Sequence, residues 1–447
     1  MAHSEEPKKK RRLRFSIDNV DAKVDTSDGR NSFHATAMAV YQRQPSTAEA
    51  IDVVAQFITP TQNKSVSSLK DVPSTIVPIM QSTITGSPKP PTSPCYPDFK
   101  TGRNEDELRR AEVDDLAWLL VRQFHRDGDN AVNTLGPQCT DSRESEVTCE
   151  VPQPVPVWAA YNSLMRTSHS GVDDSQKLDK VHALPLINSP AHEWNTLTTA
   201  LVQLNNLNQL TKSDDNNEPI LVWLDMDLYK RVRKLSFLDL QFKDKIIACP
   251  GPFHIVLCAL RCLGGTVESS GLDEAWIEAG LYSSVTVVQI LNGKHHNRAL
   301  DAHQISLQAL FDLWIEAFFA ENPTLHQQLM STMSAVRKAC SNGIDVAEAH
   351  RQLVASVNNL ELKRQMEEFD QKNYKYPMYK WARMYMKQVS NLLQFLRGTR
   401  DRNWPLHLAS LEKMCAYFFA FNRHDYAQNI PDHIAHMYQL ETSHPQI

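Results

Sequence analysis

The 447-residue sequence lacks the basic excess of a protein built mainly on nucleic-acid contacts: 47 Lys and Arg stand against 52 Asp and Glu, a formal charge of −5. Bulk attraction to phosphate is thereby excluded, and only local basic patches can supply it. Cysteine is sparse: the eight residues are scattered and form no paired CxxC hairpins. A disulfide framework is not expected, and a reducing cytosolic or nuclear setting fits better. No apolar segment follows the polar, lysine-rich first ten residues, so secretion is not expected. Long hydrophobic runs are missing too. The most apolar stretch, residues 246–265, is broken by Pro250, Pro252, His254 and Arg261, which excludes it as a membrane span. No P-loop, Rossmann glycine pattern, HExxH or GxSxG is present, removing the usual nucleotide, metalloprotease and esterase readings. No repeat of fixed period appears, so a solenoid is disfavoured.

What is there suffices for a folded, soluble chain of two to four domains: hydrophobic residues make up 42% and charged residues 22%, near the globular average. The run Lys8, Lys9, Lys10, Arg11 and Arg12 reads either as a nuclear-localisation or phosphate-binding arm or as a solubilising, flexible N-terminus. Leu13, Phe15 and Ile17 then alternate with polar residues at the period of a half-buried strand, and FHATAMAVY (33–41) reads as a second strand pairing back on it. Residues 59–102 are rich in Ser, Thr and Pro and read as a flexible insertion. Residues 105–126 carry the spacing of an amphipathic helix, and 158–165 that of a short one. Ile220–Leu224, an unbroken apolar run closed by Asp225, fits a buried strand, and Ile246–Cys249 fits another. A helix apolar nearly all round follows from His254 and is expected to stop at Gly264-Gly265.

Beyond Gly271 nearly everything shows helical periodicity, including one continuous helix expected over 346–369. The expected organisation is a basic N-terminus (1–12), a split α/β core (13–58 and 157–270), an insertion (59–156) and a helical region (271–447).

Asp18 and Asp225 each stand where a hydrophobic strand is expected to end. On neighbouring strands they can share divalent cations. Two-metal phosphoryl transfer needs metals roughly 3.5–4 Å apart flanked by carboxylates, and Mg²⁺ favours such hard oxygen donors. The blander reading is that each Asp caps a strand end or starts a helix. His254 can orient a carboxylate or contact a phosphate, or simply satisfy a backbone carbonyl. Cys249, His254, Cys258 and Cys262 suggest zinc by residue type, but without paired CxxC hairpins core packing is the reading preferred. Lys380, Arg383 and Lys387, with Arg397, Arg400, Arg402 and neighbouring Trp381, Tyr385 and Trp404, offer a basic and aromatic surface suited to nucleic acid. The alternative is an ordinary core stripe with a solvated face.

The segments IDNVD (17–21), DGRNSFHATA (28–37), VPVWAAYNSL (155–164), ALPLINSPAHEWNTL (183–197) and ILVWLDMDLY (220–229) occur in one order. So do GPFHIVLCALRCLGGTVESSGLDEAWIEAGLY (251–282), NWPLHLASLEKMCAYFFAFNRHDYA (403–427) and HIAHMYQLE (433–441). Together they resemble a family of transposon-derived proteins of animal genomes, similar to divergent DDE transposases. The resemblance implies an RNase-H-like core carrying a large all-helical insertion. It implies Asp18 as first acid, Asp225 as second and His254 as the histidine after the third buried strand, with Mg²⁺ or Mn²⁺ as cofactor and DNA as partner. Where relatives carry acids, this chain has Asn422 and His436; Glu412, Asp425 and Glu441 are the candidates for a third acid. A degenerate copy is therefore an expectation as well. The alternative function is a non-catalytic nuclear protein that binds DNA or protein.

Overall fold

The computed structural model describes residues 13–23, 32–43, 79–82, 84, 103–127, 179–210, 219–239, 241–242, 245–341 and 346–443. They fall into two compact units. An α/β unit takes the described residues up to 84, 179–255 and 435–443, and a helical unit takes 103–127 and 256–434. The run Lys8 to Arg12 and the helix expected over 158–165 lie outside the described residues. Among those described, no single helix is long and apolar enough to cross a membrane.

The α/β unit is built on a mixed five-stranded sheet of order β3-β2-β1-β4-β5. Strand β1 (Leu13–Lys23) pairs antiparallel with β2 (Ser32–Arg43), from Leu13 opposite Gln42 to Lys23 opposite Ser32. The alternation read in the sequence sends Leu13, Phe15 and Ile17 inward; none is more than 5% exposed. Strand β3 (Asp179–Ala183) adds antiparallel to β2. Strand β4 (Ile220–Leu224) lies parallel to β1, and β5 (Ile246–Pro250) parallel to β4. Parallel neighbours need crossovers: α2 (Trp194–Leu210) leads into β4, and α3 (Met226–Leu238) links β4 to β5. Every residue of β5 is buried, as a continuous apolar run requires.

Part of the segment expected to be a flexible insertion is tied down. The Met80 amide donates to Thr199 Oγ1 and the Ser82 amide to Asn195 Oδ1, each at 2.7 Å, fixing residues 79–82 on the N-terminal turns of α2.

The helical unit opens on α1 (Glu105–Asp127), which had been expected in an insertion between the two α/β segments. Helix α4 (Pro252–Val267) runs on from β5 and passes straight through Gly264 and Gly265, where a stop was expected. The glycines serve packing instead. A Cβ at Gly264 would sit 1.9 Å from the Leu291 carbonyl oxygen, and one at Gly265 2.8 Å from the Phe421 ring. Short helices α5 (Leu272–Glu278) and α6 (Ser284–Leu291) lead to α7 (His296–Glu321) and α8 (Pro323–Ser341). The single helix expected over 346–369 is two, α9 (Val346–Asn359) and α10 (Leu362–Asn373), broken at Glu361, whose φ of 48° is left-handed. Such a φ ends a helix for any residue with a Cβ. Helices α11 (Pro377–Arg400), α12 (Trp404–Ala420) and α13 (His424–Ser443) complete the chain, and the last residues of α13 return to the α/β unit.

Candidate functional site

Strand β4 is short and apolar because it lies inside the sheet between β1 and β5; Ile220, Val222 and Leu224 are each no more than 1% exposed. It ends at Asp225, which has left the ladder and become the N-cap of α3, its Oδ1 accepting from the Leu228 amide at 2.7 Å. The strand-exit carboxylate is therefore held by a rigid strand on one side and a helix start on the other.

The parallel register puts Phe15 beside Val222 and Ile17 beside Leu224. The residues that follow each are Asp18 and Asp225. Asp18 is not at a strand end, as its place after the apolar alternation suggested: β1 continues to Lys23 along β2, with Asp18 opposite Ala37. It is β4 that ends here. The consequence is that β1 loses its β4 neighbour just after Ile17, and Asp18 there is exposed to solvent.

The electrostatics agree with this placement. Loss of hydration at the end of the parallel ladder raises the Asp18 pKa, and the Asp225 carboxylate raises it further. The Asn19 amide, donating to Asp18 Oδ1 at 2.9 Å, and the nearby His254 both act the other way. Two carboxylates and an imidazole thus share one end of the sheet.

His254 reaches this end because Gly251 lets the chain turn tightly out of β5. The Gly251 amide donates to the Leu224 carbonyl at 2.6 Å. A Cβ there would stand 3.1 Å from that same oxygen and 3.7 Å from His254 Cδ2. The exposed Phe253 meets the His254 ring edge-on, with centroids 5.5 Å apart.

Two features went unread in the sequence. Asn19 both supports Asp18 through its backbone and anchors the loop before α2, its Oδ1 accepting from the Ala191 amide at 2.9 Å. The only sequence signal was a polar side chain directly after the aspartate. The second is Arg233 on α3, whose guanidinium donates to His436 Nδ1 at 3.2 Å. His436 and Arg233 both belong to the α/β unit.

The pair Asp18 and Asp225 is a hard-oxygen donor set of the kind that takes Mg²⁺ or Mn²⁺ when water and phosphate complete the coordination. Among the described residues, no three His, Cys, Asp or Glu side chains form a group able to hold a metal ion. The zinc set of Cys249, His254, Cys258 and Cys262 accordingly does not assemble; Cys258 and Cys262 are free, buried thiols that share a hydrogen bond. Of the third-acid candidates, Glu412 is buried in α12 and Asp425 is exposed in the first turn of α13, both within the helical unit. The side chain of Glu441 lies outside the described residues.

The basic surface expected around α11 separates into two kinds of residue. Arg383 is committed inward: its Nη2 lies 2.6 Å from Asp370 Oδ2, its Nε donates to the same carboxylate, and its guanidinium stacks over Trp314 at 4.2 Å. Tyr385 is fully buried, Trp381 donates to the Thr266 carbonyl, and Arg397 pairs with Asp115 at 2.8 Å. Lys380 and Lys387 remain exposed.

No curated protein and no solved structure matches the chain. A family model described as a domain of unknown function, DUF8702, matches residues 157–447, and the chain belongs to that family.

Proposed function

We propose that this chain is a transposon-derived protein whose α/β unit is an RNase-H-like core, ancestrally a metal-dependent DNA strand-transferase or nuclease. The carrying observation is the parallel register of β1 and β4, which pairs Ile17 with Leu224, the residues that immediately precede Asp18 and Asp225. The sheet supports the fold reading. Its first three strands form an antiparallel meander and its last two add in parallel through helical crossovers on the other side of β1, the order and directions expected of an RNase-H-like sheet.

In this reading Asp18 and Asp225 hold Mg²⁺ or Mn²⁺, which when bound supplies Lewis-acid stabilisation of charge at a phosphate. Asn19 fixes the Asp18 carboxyl, the α3 N-terminus fixes Asp225, and His254 orients or hydrogen-bonds a phosphate oxygen at the mouth of the site. One observation favours a second reading, a non-catalytic DNA- or protein-binding descendant: no third ligand joins the pair among the described residues.

Incubating the full chain with supercoiled plasmid and Mn²⁺ separates the two. Nicking that disappears in a folded Asp225→Asn variant supports the enzyme. A folded wild-type chain that leaves the plasmid intact supports the non-catalytic descendant.

A further inference from the structure

The start of α11 presents an exposed stripe that the fold leaves unused. Lys380, Met384 and Lys387 are spaced i, i+4, i+7, so they share one face of the helix, and all three are exposed. Tyr376, the N-cap of the same helix, is 54% exposed, and the Lys375 ammonium lies 5.1 Å from the centroid of its ring. Met384 is 46% exposed. Core packing accounts for none of these positions; the buried face of α11 is carried by Tyr385, Val389 and Leu392.

Lys380 and Lys387 form no ion pair among the described residues, while the Glu367 carboxylate acts on Tyr374 beside Lys375. Nearby Asp370, which would oppose an anion, is already neutralised by Arg383. The amides of the first turn add to the positive end, because Tyr376 supplies no side-chain cap. A patch of this sign stands out on a chain whose formal charge is −5. Along the helix Lys380 and Lys387 are ~10 Å apart at 1.5 Å per residue, which a strand with a stacked repeat of ~3.4 Å covers in about three nucleotides. An exposed aromatic ring and a thioether set among cations suit unstacked bases between phosphates.

We infer that Lys375, Tyr376, Lys380, Met384 and Lys387 form a binding surface for single-stranded nucleic acid, with Lys380 and Lys387 on phosphates and Tyr376 stacked on a base. The choice of polyanion rests on the polynucleotide reading above, but the surface does not use Asp18 or Asp225.

The test is fluorescence anisotropy of the full chain with a fluorescein-labelled dT20 in EDTA, across a salt series. The expected result is salt-dependent binding that the double variant Lys380→Gln/Lys387→Gln weakens at least tenfold. That variant also lowers the slope of log K against log salt by about 1.4, at roughly 0.7 per lost phosphate contact. Tyr376→Ala weakens binding by about fivefold or more with little change of slope. Lys294→Gln, removing an exposed lysine elsewhere in the helical unit, leaves binding unchanged, and Asp225→Asn retains it even where cleavage is lost. Melting curves matching wild type show that the variants are folded. The inference is overturned if the folded wild type does not bind dT20, if the double variant binds as wild type does, or if Tyr376→Ala is without effect. Equal binding of duplex DNA or of polyglutamate also overturns it.

Discussion

Asp18 and Asp225 follow Ile17 and Leu224, which are direct partners in the parallel ladder between β1 and β4. Backbone pairing thereby sets the two aspartates just beyond one ladder position, close enough for the Asp225 charge to act on Asp18. Each also has a local support of its own, the Asn19 amide for Asp18 and the first turn of α3 for Asp225.

Asp225 has a structural role separable from any chemistry. As N-cap of α3 it satisfies an amide that otherwise lacks a partner. Asp225→Ala is expected to lower the unfolding free energy by about 1 kcal/mol, whereas Asn, an equally good cap, is expected to change it by only a few tenths. Urea denaturation of both variants checks this. It also establishes that Asp225→Asn is a fair probe of activity.

Acid should destabilise the helical unit through two buried histidines. Burial holds His303 and His407 down to about 3 from the usual 6.5. Both are neutral in the folded chain over this range, so below pH 6.5 the unfolded state binds more protons than the folded one. The stability is therefore fully present above about pH 6.5 and is lost as pH falls toward 3, by about 1.4 kcal/mol per pH unit for each group. Melts between pH 4 and 7 check the slope, and His303→Gln is expected to flatten it. Gln is uncharged at every pH here and keeps a polar group for the Tyr385 hydroxyl, which meets His303 Nδ1 at 2.8 Å.

The carboxylate of Asp370 is the hinge of a polar cluster inside apolar surroundings. It takes Arg383 on two oxygens, the Trp314 indole N–H at 3.1 Å and the Tyr379 hydroxyl at 2.5 Å. Asp370→Ala leaves the guanidinium without its counter-charge and is expected to cost about 3 kcal/mol or more. Arg364→Ala breaks ion pairs to Glu361 and Glu368 in which every side chain is exposed, and is expected to leave stability close to that of the wild type. Chemical denaturation of the two variants side by side checks the contrast.

Much of the site was legible because it is written locally. The run ILVWL followed by Asp225 states a buried strand and its exit, and the alternation Leu13, Phe15, Ile17 states the face of β1. What could not be read was the pairing of these two strands, since parallel partners are joined by a long crossover whose length says nothing of register. Strand β3 was missed because DKVHA is short and on the edge; its one branched apolar residue, Val181, is 59% exposed. Gly264 reads as a helix stop because local propensity cannot see the Leu291 backbone that crosses it. Arg383 was grouped with Lys380 and Lys387 because all three are basic at helical spacing. Only the fold brings Asp370 of the preceding helix against one of them.

The most direct test is the titration of the Asp18 carboxyl, followed by carbon-detected NMR in the wild-type chain and in Asp225→Asn. The Asp18 pKa is expected to be raised in the wild type and to fall when Asp225 loses its charge, because the Asp225 carboxylate contributes to the rise. An Asp18 pKa that is the same in both proteins overturns that expectation, since a negative charge beside a carboxyl must act on its titration.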